Sequence, residues 1–314
     1  MKAKSKLAFV FPGQGSQYVG MGKTFYDNYE LSRKVFMQAD ARLGFSLSHL
    51  CFEGPEEELK QTANAQPAIV TTSLAVMQGL RESGLLEKLS LPTYVAGHSL
   101  GEYAALAVAG TLEIEDAIYL ARHRGQLMAR ASRDKPGTMA AIIGLEEKAV
   151  TDTCTCSGTS IANYNCPGQL VISGSEGNMD NAIKLAIEKG ARRVIPLPVS
   201  GAFHTPLMHP AANDLAKVLA ELKFKDPTIL VVGNTTACPL DNAAAIKKEL
   251  VDQLTGCVRW QESVEYMLTE GVTTFVEIGP GKVLSGLIKR INRDITVYNV
   301  EDEATLAALE EKLD

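Results

Sequence analysis

The segment Gly97-His98-Ser99-Leu100-Gly101 places a serine between two glycines, where a strand-like run, TYVAG, gives way to a helix-like one. In the G-x-S-x-G pattern the serine occupies a strained strand-to-helix turn, and the flanking residues are small because the turn packs against itself. The hydroxyl then lies at a helix N-terminus, where backbone N–H groups can stabilise a negative oxygen. The pattern predicts a nucleophilic serine. The alternative is a serine that only caps the helix.

A serine hydroxyl is a weak nucleophile without a base, and histidine is the usual one. His98 is adjacent to Ser99, but neighbouring side chains on a tight turn point apart. His204, in PVSGAFHTPLM, follows the last strand of a predicted insertion and precedes a helix. It is therefore expected at a cleft between two domains, and His204 is the predicted base. The alternative is a solvated or core histidine.

A second glycine-rich turn, FPGQGSQ at residues 11–17, follows the first predicted strand. It lacks the Lys-Ser/Thr of a P-loop and the third glycine of a dinucleotide-binding fingerprint. Its backbone amides suit a second oxyanion donor, beside the amide of Leu100 that follows the predicted nucleophile. A purely structural turn is the alternative.

Composition excludes several classes of function. The 314 residues are 46% hydrophobic with a net charge of −6, and their Lys and Arg are scattered, so a nucleic-acid partner is not expected. No apolar run approaches a membrane span, and the N-terminal apolar run is too short for a signal peptide. The six cysteines show neither a CxxC pair nor metal-ligand spacing, which predicts no metal site and a reducing, cytoplasmic location.

The order of strand-like and helix-like segments predicts an α/β fold. Short β-rich runs alternate with amphipathic segments up to about residue 131 and again from about 199, which indicates a parallel sheet with helices on both faces. Between about 132 and 198 the order is βαββαβ, that of a ferredoxin-like unit. We therefore predict an α/β-hydrolase-like large domain of residues 1–131 and 199–314, with an inserted ferredoxin-like small domain of residues 132–198.

Several segments in order along nearly the whole chain resemble the malonyl-CoA:acyl carrier protein transacylase family: FPGQGSQ at 11–17, QPAIVTTS at 66–73, GHSLGEYAAL at 97–106, RG at 124–125, GAFH at 201–204 and VEIGPGKVLSGL at 276–287. The resemblance implies that Ser99 is the acylated nucleophile and His204 its general base and acid. The main-chain carbonyl of Gln253 would orient that histidine, and the backbone amides of Gln14 and Leu100 would form the oxyanion hole.

The same resemblance assigns Arg124 to the substrate carboxylate and, more weakly, Asn165 to the coenzyme. Taken alone, the sequence around Arg124 favours a surface arginine on a helix from 113 to 130. A planar guanidinium can nevertheless grip a malonyl carboxylate with two parallel hydrogen bonds, which an acetyl group cannot accept. Phe203 would fill the space that an α-methyl group needs. At the position of Gly201, several relatives carry another residue.

The implied reaction is ping-pong transfer of malonyl from malonyl-CoA to the phosphopantetheine thiol of acyl carrier protein, through a malonyl-serine ester. One thioester is exchanged for another and malonyl-CoA is a substrate, so neither a cofactor nor a metal is expected, and a monomer is predicted. Two alternatives remain from the residues: a serine esterase or thioesterase of α/β-hydrolase type, and a non-catalytic module that docks a carrier protein. Free malonate as product would favour the first, and function without the Ser99 hydroxyl would favour the second.

Overall fold

The computed structural model describes residues 6–89 and 91–313. Within these residues the chain forms ten strands, fifteen α-helices and one short 3-10 turn. The strands are β1 Lys6–Phe11, β2 Tyr94–Gly97, β3 Gly137–Ile143, β4 Ser160–Cys166, β5 Gln169–Ser175, β6 Arg193–Pro196, β7 Leu230–Val232, β8 Pro239–Leu240, β9 Val272–Ile278 and β10 Thr296–Val300.

The helices are α1 Lys23–Asn28, α2 Glu30–Leu43, α3 Leu47–Glu53, α4 Glu56–Leu59, α5 Thr62–Glu82, α6 Leu85–Leu89, α7 Gly101–Val108, α8 Ile114–Asp134, α9 Glu147–Ser157, α10 Glu176–Glu188, α11 His209–Glu221, α12 Ala243–Thr255, α13 Trp260–Thr269, α14 Val283–Ile291 and α15 Glu303–Leu313. The 3-10 turn, Pro206–Met208, precedes α11. Helix α7 begins two residues after Ser99. Among the described residues, no helix combines the length and apolar character needed to cross a membrane.

The larger sheet has the strand order β10-β9-β1-β2-β7-β8, and its strands are parallel except for the edge strand β8. Its central strands are apolar on both faces. Phe9 and Phe11 pack against the cluster that contains α5, α7 and α8, whereas Ala8 and Val10 pack against α13 and α14. Helices on both sides bury the sheet, as expected for parallel strands, and the predicted α/β class with a parallel sheet is confirmed.

The smaller sheet has four antiparallel strands in the order β4-β5-β3-β6. One face is covered by α9 and α10, through residues such as Ile142, Ile172 and Met179. Met139 and Val171, on the other face, join the main core and line a cavity between the two sheets. The smaller sheet therefore forms one wall of that cavity.

A backbone connection joins the two sheets at β4. Val258, in the segment before α13, bridges Asn163 in parallel orientation, and its N–H and C=O bond to Ala162 and Tyr164 at 2.8 and 2.9 Å. This contact fixes β4 beside the carboxyl ends of the larger sheet. Side chains of β3, β4 and β5 are thereby brought to one cavity with the turns that follow β1 and β2.

Candidate active site

The turn after β2 has the strand, sharp bend and helix that the G-x-S-x-G pattern predicts. Ser99 has φ 52°, in the left-handed region that side chains other than glycine rarely occupy. A Cβ on Gly97 would lie 1.9 Å from the carbonyl carbon of Gly101, and one on Gly101 would lie 2.2 Å from the carbonyl oxygen of Phe11. No side chain fits at either glycine, because the turn packs against itself and against β1.

Ser99, His204 and Gln253 form one chain of hydrogen bonds. Ser99 Oγ lies 2.9 Å from His204 Nε2, and His204 Nδ1 lies 2.7 Å from the backbone oxygen of Gln253. A carbonyl oxygen can only accept, so Nδ1 carries the imidazole proton and Nε2 presents its lone pair to the serine hydroxyl. The family resemblance implied that these three residues act together, and the structure brings them together.

The environment of His204 keeps its imidazole neutral. The side chain is buried, and burial together with the positive charge of Arg124 lowers the pKa of His204 from 6.5 to about 3. At neutral pH the ring is therefore in the form that can accept a proton.

Arg124 is a core residue, only 1% exposed, so the interpretation of this residue as a surface arginine is wrong. Its Nη2 lies 3.0 Å from Ser99 Oγ and 2.9 Å from Gln253 Oε1, and its Nη1 lies 2.9 Å from Gln66 Oε1. Burial lowers the pKa of Arg124, but a guanidinium stays protonated in proteins. A fixed positive charge therefore faces the serine hydroxyl.

The spacing of apolar residues along α8 already indicated that Arg124 is buried. Ala117, Ala121, Arg124 and Met128 follow one another at intervals of four, three and four residues and are all buried. Arg124 thus occupies the apolar stripe that a helix turns toward the core. An arginine in such a stripe is a candidate for a specific partner.

A buried polar network below Ser99 was not found from the sequence. Gln253 Nε2 donates to the backbone oxygen of Ser99 at 3.0 Å and to Glu102 Oε2, while Glu102 Oε1 accepts from the backbone amide of Asn234 at 2.7 Å. Burial, with the nearby charge of Glu249, raises the pKa of Glu102 well above its usual range. The available signal was a glutamate within the otherwise apolar helix GEYAALAV.

The two amides predicted for the oxyanion hole have no hydrogen-bond acceptor in the described part of the chain. Within residues 6–89 and 91–313, neither the Gln14 nor the Leu100 backbone N–H donates a hydrogen bond. Gln14 lines the cavity, while the Leu100 side chain is fully buried beneath the turn. The amide of Ser99, in contrast, is occupied by the Asn234 side chain at 2.7 Å.

The cavity above Ser99 has a volume of about 270 Å³ and is walled by the smaller sheet and by the turns that follow β1 and β2. Asn165, from β4, lines it, and its Oδ1 lies 2.9 Å from His98 Nε2. His98 therefore pairs with the smaller sheet, and burial lowers the pKa of its imidazole. Phe203 lines the same cavity beside His204. No cluster of His, Cys, Asp and Glu suited to a metal ion occurs in the described part of the chain.

A buried serine paired with a neutral histidine beneath a cleft defines an acyl-transfer site, and the comparisons with known proteins agree. The sequence profile of the acyl transferase domain family matches residues 8–311. The chain belongs to this family and is an acyltransferase.

Within the family, the chain is similar to malonyl CoA-acyl carrier protein transacylases. That of Bacillus subtilis is 48% identical over 307 residues, covering 96% of this chain and 95% of the relative. That of Haemophilus influenzae is 43% identical over 312 residues, covering 98% and 99%. The resemblance drawn from the sequence motifs is confirmed.

Solved structures agree with this relationship. The acyl carrier protein S-malonyltransferase from Vibrio cholerae superposes with a TM-score of 0.92 at 44% identity, covering 97% of this chain and 100% of that one. A type II PKS acyl-carrier protein in complex with its malonyl-transacylase gives a TM-score of 0.94 at 40% identity, covering 98% and 100%.

Proposed function

We propose that this chain transfers the malonyl group of malonyl-CoA to the phosphopantetheine thiol of acyl carrier protein. One observation carries the proposal: the Ser99 hydroxyl lies 2.9 Å from an unprotonated imidazole nitrogen and 3.0 Å from a buried guanidinium. The first contact supplies a base for the nucleophile. The second supplies a fixed cation for an acyl group that carries a carboxylate.

In the first half-reaction, His204 Nε2 takes the Ser99 proton as Oγ attacks the thioester carbonyl of malonyl-CoA. The carbonyl oxygen becomes negative and accepts hydrogen bonds from the amides of Gln14 and Leu100. The C–S bond then breaks, and the imidazolium returns its proton to the CoA sulfur. Free CoA leaves, and the malonyl group stays attached to Ser99 as an ester.

In the second half-reaction, the carrier-protein thiol attacks the ester carbonyl while His204 takes the thiol proton. Collapse of the tetrahedral intermediate breaks the C–Oγ bond, and His204 protonates Ser99. One thioester replaces another, so the exchange uses no cofactor and no metal. Water must be kept from the ester, since hydrolysis would release malonate.

Selection of malonyl is assigned to Arg124. Its Nη2 is shared between Ser99 and Gln253, and the Gln66 side chain holds Nη1. A malonyl carboxylate accepts two charge-assisted hydrogen bonds from such a group, whereas an acetyl methyl would leave a buried cation unpaired. Phe203 narrows the cavity against α-branched acyl groups, and Asn165 is proposed to contact the coenzyme from the wall of the cavity.

We also propose that the chain is divided into two domains. Strand order β4-β5-β3-β6 supports a ferredoxin-like small domain of residues 132–198 inserted in an α/β-hydrolase-like large domain of residues 1–131 and 199–314, of which 1–5, 90 and 314 lie outside the described residues. We further propose a monomer in the cytoplasm. The six cysteines, all free thiols, support a reducing compartment.

The test is intact mass after brief exposure to malonyl-CoA, with and without acyl carrier protein. The expected result is a malonyl adduct that Ser99→Ala lacks and that the carrier protein removes. Release of free malonate instead would identify a hydrolase, and a functional Ser99→Ala chain would identify a docking module. Arg124→Ala is expected to lose malonyl preference and gain relative acetyl transfer. Unchanged selectivity would remove Arg124 from this role.

A further inference from the structure

Asn234 lies directly beside the nucleophile turn because of the register of the larger sheet. Strand β7 pairs in parallel with β2, with Val232 opposite Ala96. Two residues beyond that pair, Asn234 reaches the segment from Gly97 to Ser99. The residue is fully buried and does not line the cavity.

The Asn234 side chain spans the turn with both of its polar atoms. Its Oδ1 accepts from the Ser99 backbone N–H at 2.7 Å, and its Nδ2 donates to the Gly97 backbone oxygen at 2.7 Å. The Asn234 main chain is itself held, since its N–H donates to Glu102 at 2.7 Å and its carbonyl accepts from Arg259 at 2.8 Å. Both the main chain and the side-chain amide of Asn234 are thus held in place. The side chain links Gly97, the last residue of β2, to the nucleophile Ser99.

We propose that Asn234 is a positioning residue for acylation of Ser99, an inference that rests on the proposed function. It has two effects. It holds Ser99 in the left-handed conformation that directs Oγ to His204. It also engages the Ser99 amide, which leaves the next amide, that of Leu100, as the unpaired donor for the developing oxyanion.

Neither effect requires contact between Asn234 and the reacting atoms. Removal of the side chain lets Ser99 relax toward an ordinary backbone conformation and frees a competing N–H in the turn. Misplacement of a reacting group by about 1 Å costs on the order of 100-fold in rate. The loss is therefore expected in the chemical step and not in binding of malonyl-CoA.

The experiment measures single-turnover acylation and steady-state kcat and KM for Asn234→Ala and Asn234→Asp. For the alanine variant we expect acylation to fall about 100-fold with KM within about twofold. An ionised aspartate still accepts from the Ser99 amide but cannot donate to the Gly97 oxygen. A protonated aspartate can do both. Acylation by Asn234→Asp should therefore recover as pH falls, whereas wild type and Asn234→Ala should show no such rise.

Asn242→Ala is the matched control. Asn242 caps α12 by accepting from the Ala245 amide at 2.8 Å and is remote from the serine turn in its contacts. Its loss should lower the melting temperature while the acylation rate per folded molecule stays that of wild type.

Two results would overturn the positioning role: wild-type acylation by folded Asn234→Ala, or an Asn234→Asp pH profile that parallels wild type. If the alanine variant does not fold, the aspartate profile decides alone. Wild type is run in parallel. If wild type forms no malonyl-serine, the proposed function has failed, whereas acylation of wild type and variants alike removes only the role of Asn234.

Discussion

Three non-glycine residues of the described chain have left-handed backbones: Ser99, His204 and Ala237, with φ of 52°, 59° and 53°. The first two meet at the candidate active site. The third lies in the turn between β7 and β8, where its N–H bonds to the Gly233 oxygen at 3.0 Å. This conformation costs about 1–2 kcal/mol for a residue with a Cβ.

The difference between the two regions lies in what fixes the conformation. At the site, hydrogen bonds from other elements hold the strained residues. Asn234 Oδ1 accepts from the Ser99 amide, and the Gln253 carbonyl accepts from the His204 ring. In the hairpin, backbone hydrogen bonds across the turn fix it, from the Ala237 N–H to the Gly233 oxygen and from the Gly233 N–H to the Cys238 oxygen. Strain at the site orients reactive atoms, while strain in the hairpin closes a loop.

Ser99→Gly should produce the largest change in activity. It should also show most clearly that the active-site strain serves catalysis and not stability. Glycine adopts φ 52° without a steric penalty, so the free energy of unfolding should rise by up to about 1 kcal/mol, after allowance for the more flexible unfolded chain. Acyl transfer should fall at least about 10⁴-fold, because the nucleophile is gone. Chemical denaturation and transfer assays on one preparation check both. A variant less stable than Ser99→Ala would contradict the view that Ser99 is strained.

The pH profile of acylation should show the effect of burial on the strained histidine. With the pKa of His204 lowered to about 3, the base stays unprotonated, and the acylation rate should change less than about twofold between pH 8 and 5. A histidine with an ordinary pKa of about 6.5 would lose about 30-fold over the same range. Stopped-flow acylation measures this. An inflection near pH 6.5 would contradict it.

The lowered pKa of His204 should also make the free energy of unfolding depend on pH. The unfolded chain protonates this histidine below about pH 6.5, but the folded chain does not until about pH 3. His204 therefore lowers the free energy of unfolding progressively as pH falls through that window. Replacement of Arg124 by Met should raise the pKa of His204, since its positive charge is one of the causes of the shift.

Gly201→Ala tests the loop that leads to His204. A Cβ there would lie 2.2 Å from Ser132 Oγ and 2.5 Å from Phe203 Cε1, so the Phe203 ring must move. We expect destabilisation by about 1–3 kcal/mol and a wider cavity that accepts larger acyl groups. Denaturation and competition between malonyl-CoA and methylmalonyl-CoA measure these effects.

Gly286→Ala is the control for that experiment. Gly286 lies within α14, and an added Cβ would meet nothing within 4 Å. It should stabilise the chain by about 0.5–1 kcal/mol. An equal change in the free energy of unfolding for Gly201→Ala and Gly286→Ala would show that the packing around Gly201 is not tight.

Ala237→Gly should give the smallest effect. Relief of the left-handed strain should raise the free energy of unfolding by a few tenths of a kcal/mol up to about 1 kcal/mol, with acyl transfer unchanged. Denaturant titration and the transfer assay check this. A loss of activity would mean that the Ala237 conformation also fixes Asn234, which lies in the same turn and contacts Ser99, and the contrast between the two regions would fail.

Much of the fold was predictable because periodicity and turn chemistry are local. The strand-like run TYVAG coincides with β2, β1 precedes the glycine-rich turn at 11–17 as predicted, and the predicted βαββαβ order runs from β3 to β6. The last strand, β10, and helix α15 were not predicted. The strand TVYNV is only partly buried at the edge of the sheet, so its pattern is weak.

The site was predictable where a motif fixes local geometry, and not where partners come from separate elements. The turn at Ser99 follows from its two glycines. Asn234 and Glu102 meet only because β7 lies beside β2 and α7 follows β2, a juxtaposition that no local pattern encodes. Without the family resemblance the interpretation of Arg124 was wrong, because the spacing that places it in the buried stripe of α8 does not show which buried groups pair with its charge.

Gln253 directs the imidazole with its main chain and holds the guanidinium with its side chain. Every amino acid supplies the carbonyl, whereas only the side chain is open to substitution. A redesign for uncharged acyl groups can therefore exchange Arg124 and the Gln253 side chain together while the group that aligns the base is retained. Choice of acyl group and orientation of the base are separable under mutation, while the pKa of His204 changes with the charge of Arg124.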